Sequence, residues 1–382
     1  MKIIRQILWA TVTTVLLAGC TEDGDTIDPM PDGSLTLRKI VGRYYGNRNF
    51  RVGMSEPYGY LAATDSIARV RQNIYYSEFA LGVSAEKFRQ EVTAPTGDSR
   101  MWNSGEYRFL IDESRNQKQE VLPEAPLGPR CSEWAGSDER TPEELEALLL
   151  HYVGTLCTDI QLNNDTVHSL ILAEDFIGGE AANPWLQLGV ETGDAGGVEI
   201  EYPRYLSVAL TCAAGYAPSI KQLIAQQSET LGDDVWGPVK STVLALKSNG
   251  CKIDGICWKA VIPLGWEQDP DNRKNLLRLI DWCYLNNVEF HVTHLMVAVS
   301  EGTSVEDVDR VEETRDAQAA TYAAVVEAVT SRAGRGARSL SFGTLNGSFS
   351  DGVTYAGLYD GDLLPAPAYE AVKQVLIQTA KK

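Results

Sequence analysis

Apolar runs too continuous for a half-exposed sheet recur along this chain, each followed by a helical stretch. "TVHSLILAED" (Thr166 to Asp175), "IDGICWKAVI" (Ile253 to Ile262), "NNVEFHVTHLMVAV" (Asn286 to Val299) and "SLSFGTL" (Ser339 to Leu345) are the clearest strands, and "FRVGM" (Phe50 to Met54) is a shorter one. Strands of this kind are buried on both faces, as in a parallel sheet covered by helices. The helices between them read from Thr141 to Leu156, Tyr205 to Ala214, Trp236 to Ser248, Asn275 to Leu285, Ser304 to Ser331 and Ala366 to Ala380, with a further helical run around Asp65 to Tyr76. Thr141, Pro142 and Glu144 form a capping box at the start of the first of these. Roughly eight strand–helix units predict a closed (β/α)8 TIM barrel in a single α/β domain over residues 37–380. No glycine-rich phosphate loop follows the first strand, which disfavours a doubly wound dinucleotide fold. Function in such a barrel sits where strands end, and Glu174, Asp175, Lys259 and His294 all fall near strand ends.

The first twenty residues have a separate purpose. Lys2 and Arg5 precede an apolar run from Ile7 to Ala18, the pattern of a secretory signal too short to span a bilayer stably. Leu17-Ala18-Gly19-Cys20 resembles the bacterial lipobox, which implies cleavage before Cys20 and a lipid on its thiol. The acidic Cys20-Thr21-Glu22-Asp23-Gly24-Asp25 is similar to the surface-export signal of Bacteroidetes lipoproteins. The expectation is an outer-membrane lipoprotein exposed at the cell surface, with the periplasmic face as the alternative. Residues 21–36 read as a flexible tether, so the lipid is the expected contact with the membrane. A formal net charge of −18 excludes nucleic acid as a natural partner.

Other chemistries are weakly supported. Cys131, Cys157, Cys212, Cys251, Cys257 and Cys283 lack zinc spacing; they could pair in an exported protein or be buried as small apolar residues. His291 and His294 are three apart, so in an unbroken strand they point to opposite faces and cannot share a metal. On the same reading Glu289 and Thr293 face the helices. Four histidines and no G-x-S-x-G elbow give no obvious nucleophilic triad. No cofactor and no metal is expected.

The order of segments resembles glycoside hydrolase family 10, the endo-β-1,4-xylanases, over roughly residues 37–377. "LKSNGCKIDGICWKAVIPLGW" looks like the family's sixth-strand segment and "NNVEFHVTHLMV" like its seventh-strand h-x-h-T-E-L-D-h. "DAQAATYAAVVEAV" is similar to the helix motif that follows, and "LLPAPAYEAV" to the family's ending. "EFALGVSAEK" resembles the second-strand motif, and "TVHSLILAEDF" the fourth-strand h-x-x-W-D-V-V-N-E-A. Residues 105–140 carry no clear counterpart of the third-strand W-H motif.

The chemistry that the resemblance implies is altered. Retaining glycosidases use two carboxyl groups roughly 5–5.5 Å apart, a nucleophile and an acid/base. The family's nucleophile falls on His294, which cannot form the glycosyl ester, and its acid/base falls on Asp175, one methylene shorter. The asparagine before the acid/base is Glu174. The second-strand pattern keeps Glu86 but turns its asparagine into Lys87. The sixth-strand Q-x-H becomes Lys259-x-Val261, and the eighth-strand tryptophan stands as Gly343. Trp134, Trp258 and Trp266 are candidate platforms for stacking a sugar. The resemblance therefore implies a carbohydrate-binding pseudoenzyme, with a plant or algal polysaccharide or oligosaccharide, xylan-like or other, as partner. Two alternatives remain: a divergent glycosidase using Asp175 as acid, and a partner-binding component of a surface polysaccharide-utilisation complex.

Overall fold

A computed structural model describes residues 32–55, 70, 73–80, 104–129, 140–178, 183–301, 308–343, 348–350, 353–360 and 362–381. The strands run β1 (Arg51–Ser55), β2 (Tyr76–Ala80), β3 (Glu120–Leu127), β4 (Ser169–Glu174), a hairpin of β5 (Val190–Asp194) and β6 (Glu199–Pro203), β7 (Lys221–Gln227), β8 (Gly255–Pro263), β9 (Glu289–Glu301), β10 (Ala337–Phe342), and a hairpin of β11 (Ser348–Ser350) and β12 (Val353–Ala356). The helices are α1 (Leu37–Tyr45), α2 (Ser104–Asn116), α3 (Pro142–Leu162), α4 (Arg204–Tyr216), α5 (Asp233–Ser248), α6 (Pro270–Leu285), α7 (Val308–Thr330) and α8 (Pro367–Ala380).

Strands β1 to β4 and β7 to β10 pair in parallel, each with the next. β10 pairs with both β9 and β1, so the ring closes and the fold is the expected (β/α)8 barrel. Closure leaves no parallel edge exposed. Beyond the ring, β12 adds antiparallel to the end of β9, and β5–β6 forms a separate ribbon.

The local signals explain the elements. Thr141 Oγ1 accepts from Glu144 N at 3.3 Å and Thr141 N donates to Glu144 Oε2 at 2.9 Å, the reciprocal cap read from sequence. α3 then buries Leu145, Leu149, Tyr152, Val153, Leu156 and Ile160, one face at helical spacing. Each such side chain is worth about 1.5–3 kcal/mol when fully buried. Two apolar layers result. A small one fills the barrel, with Tyr76, Leu122, Ile171, Leu223, Ala225 and Cys257, and a large one lies between the strands and the helices. The expected helical run to Tyr76 ends earlier, because Tyr76 opens β2.

Several parallel strands carry register breaks, and those in β3, β4 and β9 lie beside the site side chains. β9 places Thr293 opposite Lys259 and Met296 opposite Val261, three residues against two, and it shows the same excess against β10. This is a β-bulge, which turns the side chains after it. β3 and β4 show similar breaks before their ends. The expectation that His291 and His294 face opposite ways assumed an unbroken strand and is corrected here. Both point into the barrel, His291 at its N-terminal end and His294 at its C-terminal mouth. Glu289 and, by alternation, Thr293 share the inward face of His291 instead of facing the helices.

Candidate functional site

At the C-terminal mouth, His294 occupies the extra position of the β9 bulge with φ +49°. Its Nε2 lies 3.1 Å from Ser55 Oγ at the end of β1, and its Nδ1 lies 3.3 Å from Glu124 Oε1 on β3. The ring thus links strands from different sides of the mouth. Glu124 and His294 are 7% and 14% exposed at their side chains, so this pair is largely out of solvent.

A second polar pair lies at the same end. Lys259 Nζ on β8 donates to Glu174 Oε2 on β4 at 3.2 Å, with both groups buried. Removing one partner of such a pair leaves a buried charge, a loss of about 3–5 kcal/mol. Asp175, next along the chain, also adopts φ +49°. Its N donates to Ala225 O at 3.0 Å, and its Oδ1 accepts from Gln227 N at 2.7 Å. The carboxylate at the expected acid/base position is therefore turned onto the last amide of β7.

Positive φ costs a non-glycine residue about 1–3 kcal/mol, and Asp and His tolerate it better than most. Neighbouring glycines make room for both turns. A Cβ on Gly128 would come within 2.3 Å of Glu174 O, and one on Gly343 within 2.4 Å of Met296 Cγ and 3.0 Å of His294 O. Gly343, where the family resemblance implies tryptophan, is thus explained by the close passage of the bulged β9.

The tryptophans serve the core. Trp258 is 0% exposed and Trp266 2% exposed, their rings 5.9 Å apart. Their Nε1 atoms donate to Ser228 O at 2.9 Å and Glu229 O at 3.1 Å, which pins the segment after β7. The expectation that they stack a sugar is corrected: burial leaves no face open. Trp134, Glu86, Lys87 and Cys20 lie outside the described residues. The structure brings Glu174 and Lys259 together and His294 to the same mouth; Ser55 and Glu124 were missed from sequence. Ser55, His294 and Glu124 lie side by side there, with hydrogen-bond geometry only between Ser55 Oγ and His294 Nε2.

At the opposite, N-terminal end is a cavity of about 330 Å³ lined by strand-start residues, among them Arg51, Lys221, Glu289, His291 and Arg338. Lys221 Nζ donates to both Glu289 oxygens at 2.7 and 2.8 Å, and Arg338 Nε lies 2.9 Å from Glu289 Oε1. Burial acts to raise the Glu289 pKa, but His291 and Lys221 outweigh it and hold it at about 2. His291 Nδ1 meets Ser339 Oγ at 2.8 Å, while its Nε2 is 3.7 Å from Glu289 Oε2. Among the described residues no group of His, Cys, Asp and Glu is arranged to hold a metal. The five described cysteines, Cys157, Cys212, Cys251, Cys257 and Cys283, are all buried, which raises the thiol pKa of Cys157, Cys212, Cys251 and Cys283.

No protein-family model matches this sequence, and no curated protein does. Solved structures do. Xylanase 10B from Thermotoga petrophila RKU-1, in complex with xylobiose, matches at 16% identity and TM-score 0.68, over 91% of this chain and 98% of its own. Xylanase 10B from Thermotoga maritima matches at 16% and 0.69, over 91% and 99%. The endo-1,4-β-xylanase XylE of Penicillium canescens matches at 16% and 0.70, over 90% and 98%. At this identity the likeness is one of fold: the chain is built as a (β/α)8 barrel of the kind these xylanases share, across nearly their whole length.

Proposed function

We propose that this protein is a carbohydrate-binding relative of the xylanases that has abandoned the retaining glycosidase mechanism. The observation that carries this reading is His294. It stands where the resemblance implies the nucleophile, in a strained turn, with Nε2 within hydrogen-bond reach of Ser55 and Nδ1 3.3 Å from the Glu124 carboxylate. A glycosyl ester needs a carboxylate there. The engagement of Asp175 with the end of β7 weakens the alternative in which it acts as a general acid. The xylobiose complex of one structural relative supports an oligosaccharide as ligand. The lipobox-like Cys20 supports attachment to the outer membrane, although the end of the expected tether is packed, with Leu35 buried and Gly33 O accepting from Lys373 Nζ.

Calorimetry of the soluble form lacking residues 1–20 against xylo-oligosaccharides and a panel of plant and algal glycans tests the reading. Binding without release of reducing sugar is expected. Release that Asp175→Ala abolishes would reinstate the glycosidase, and no binding to any glycan would favour a partner-binding component. Loss of membrane association in Cys20→Ala is the expected result for the anchor.

A further inference from the structure

We propose that Ser55, His294 and Glu124 form a nucleophilic site for acyl transfer, and that its substrate is a carboxylic ester carried on a carbohydrate. The carbohydrate half rests on the binding reading above; the ester half rests on geometry alone. A serine hydroxyl becomes a nucleophile when a base can take its proton and a third group fixes that base. His294 Nε2 is 3.1 Å from Ser55 Oγ, within hydrogen-bond reach. Glu124 Oε1 is 3.3 Å from the other ring nitrogen, out of line for a hydrogen bond but close enough for its charge to stabilise the imidazolium that forms when His294 takes the serine proton. Ser55 is half-buried, at the C-terminal end of β1, the end at which barrel active sites are built. The β9 bulge holds His294 inward at φ +49°, a conformation that requires support from the surrounding fold.

The step balances without a co-reactant other than water. Ser55 Oγ bonds to the ester carbonyl carbon as its proton passes to His294 Nε2. The bond to the alkoxy oxygen then breaks, and His294 returns that proton to the leaving sugar hydroxyl. Water attacks the acyl-serine, gives a proton to His294, and the free acid leaves as Ser55 recovers its proton. Ser339, His291 and Glu289 repeat the residue types at the other end of the barrel. There the serine is buried, the carboxylate stands 3.7 Å off, and Lys221 and Arg338 occupy it.

The test uses p-nitrophenyl acetate, acetylated xylo-oligosaccharides and a fluorophosphonate probe on the full chain. Wild type is expected to hydrolyse the esters and to gain one phosphonyl group on Ser55, read by peptide mass spectrometry. Ser55→Ala and His294→Gln should each lower kcat by about 10²-fold or more, with circular dichroism unchanged, while Ser339→Ala keeps the rate. Glu124 is a positioning residue: Glu124→Gln should move the acid limb of the kcat profile to lower pH, and Glu124→Asp should restore part of the rate. Absence of ester hydrolysis and labelling in folded wild type overturns the proposal, as does activity that survives Ser55→Ala. Cleavage of the simple ester with neither binding nor cleavage of sugar esters retains the acyl-transfer site and removes the glycan. Glycan binding without cleavage of any ester does the reverse.

Discussion

The two ends of one barrel use the same residue types to opposite effect. At the N-terminal end, Glu289 is shared by Lys221 and Arg338, His291 rests on Ser339, and Asn49 and Asn287 take positive φ just before β1 and β9. At the C-terminal mouth, two residues take positive φ, two glycines clear space for the strands that carry them, and a lysine–glutamate pair is buried beside a histidine that reaches across strands. A partly hydrated ion cluster costs little to build. A buried pair and two strained turns cost several kcal/mol, which the rest of the fold must offset. Positive φ occurs at both ends, so what sets the mouth apart is its buried charge pair and the histidine that reaches across strands.

Breaking the charge pairs gives the largest contrast. Lys259→Met strands the Glu174 carboxylate in the core and should destabilise by about 3–5 kcal/mol. Lys221→Met removes a group 42% exposed at its side chain and should cost at most about 1 kcal/mol. Urea titrations of both variants compare the two ends directly, and equal losses would erase the distinction.

Glycine substitution probes the strained turns. Gly128→Ala drives a methyl against the Glu174 carbonyl and should cost about 1–3 kcal/mol. Gly343→Ala should cost less, because its closest neighbour is the flexible Met296 side chain. Thermal melts that rank them the other way would show that β9, not β4, is the stiffer support.

Much of the barrel was legible because its strands are continuous apolar runs and α3 carries a complete cap. β3 was not: Pro123 and Pro126 interrupt the run, and proline inside a strand reads as a reason against one. With β3 went Glu124, and with it the reason for the orientation of His294. Ser55 carries no local signal at all; only closure of the ring brings β1 near the bulge. The faces of His291 and His294 were misassigned because a period of two is valid only until a residue is inserted. The tryptophans were ambiguous by type, and their indole hydrogen bonds to the segment after β7 exist only in three dimensions.

A further contrast concerns pH at the N-terminal end. The folded-state pKa of Glu289 is lowered to about 2 from an ordinary 4.5, so its contribution to stability is present above about 4.5 and lost as pH falls toward 2. Glu289→Gln should flatten the stability profile in that window. A profile that keeps its slope would assign the acid sensitivity elsewhere.

The claim that the mouth no longer works through a carboxylate nucleophile meets its most direct test in the intact mass of the protein after incubation with an activated 2-deoxy-2-fluoro-xylobioside. Retaining glycosidases accumulate the glycosyl ester with such compounds. The predicted result is an unchanged mass; a gain of one fluoroxylobiosyl group would contradict the account.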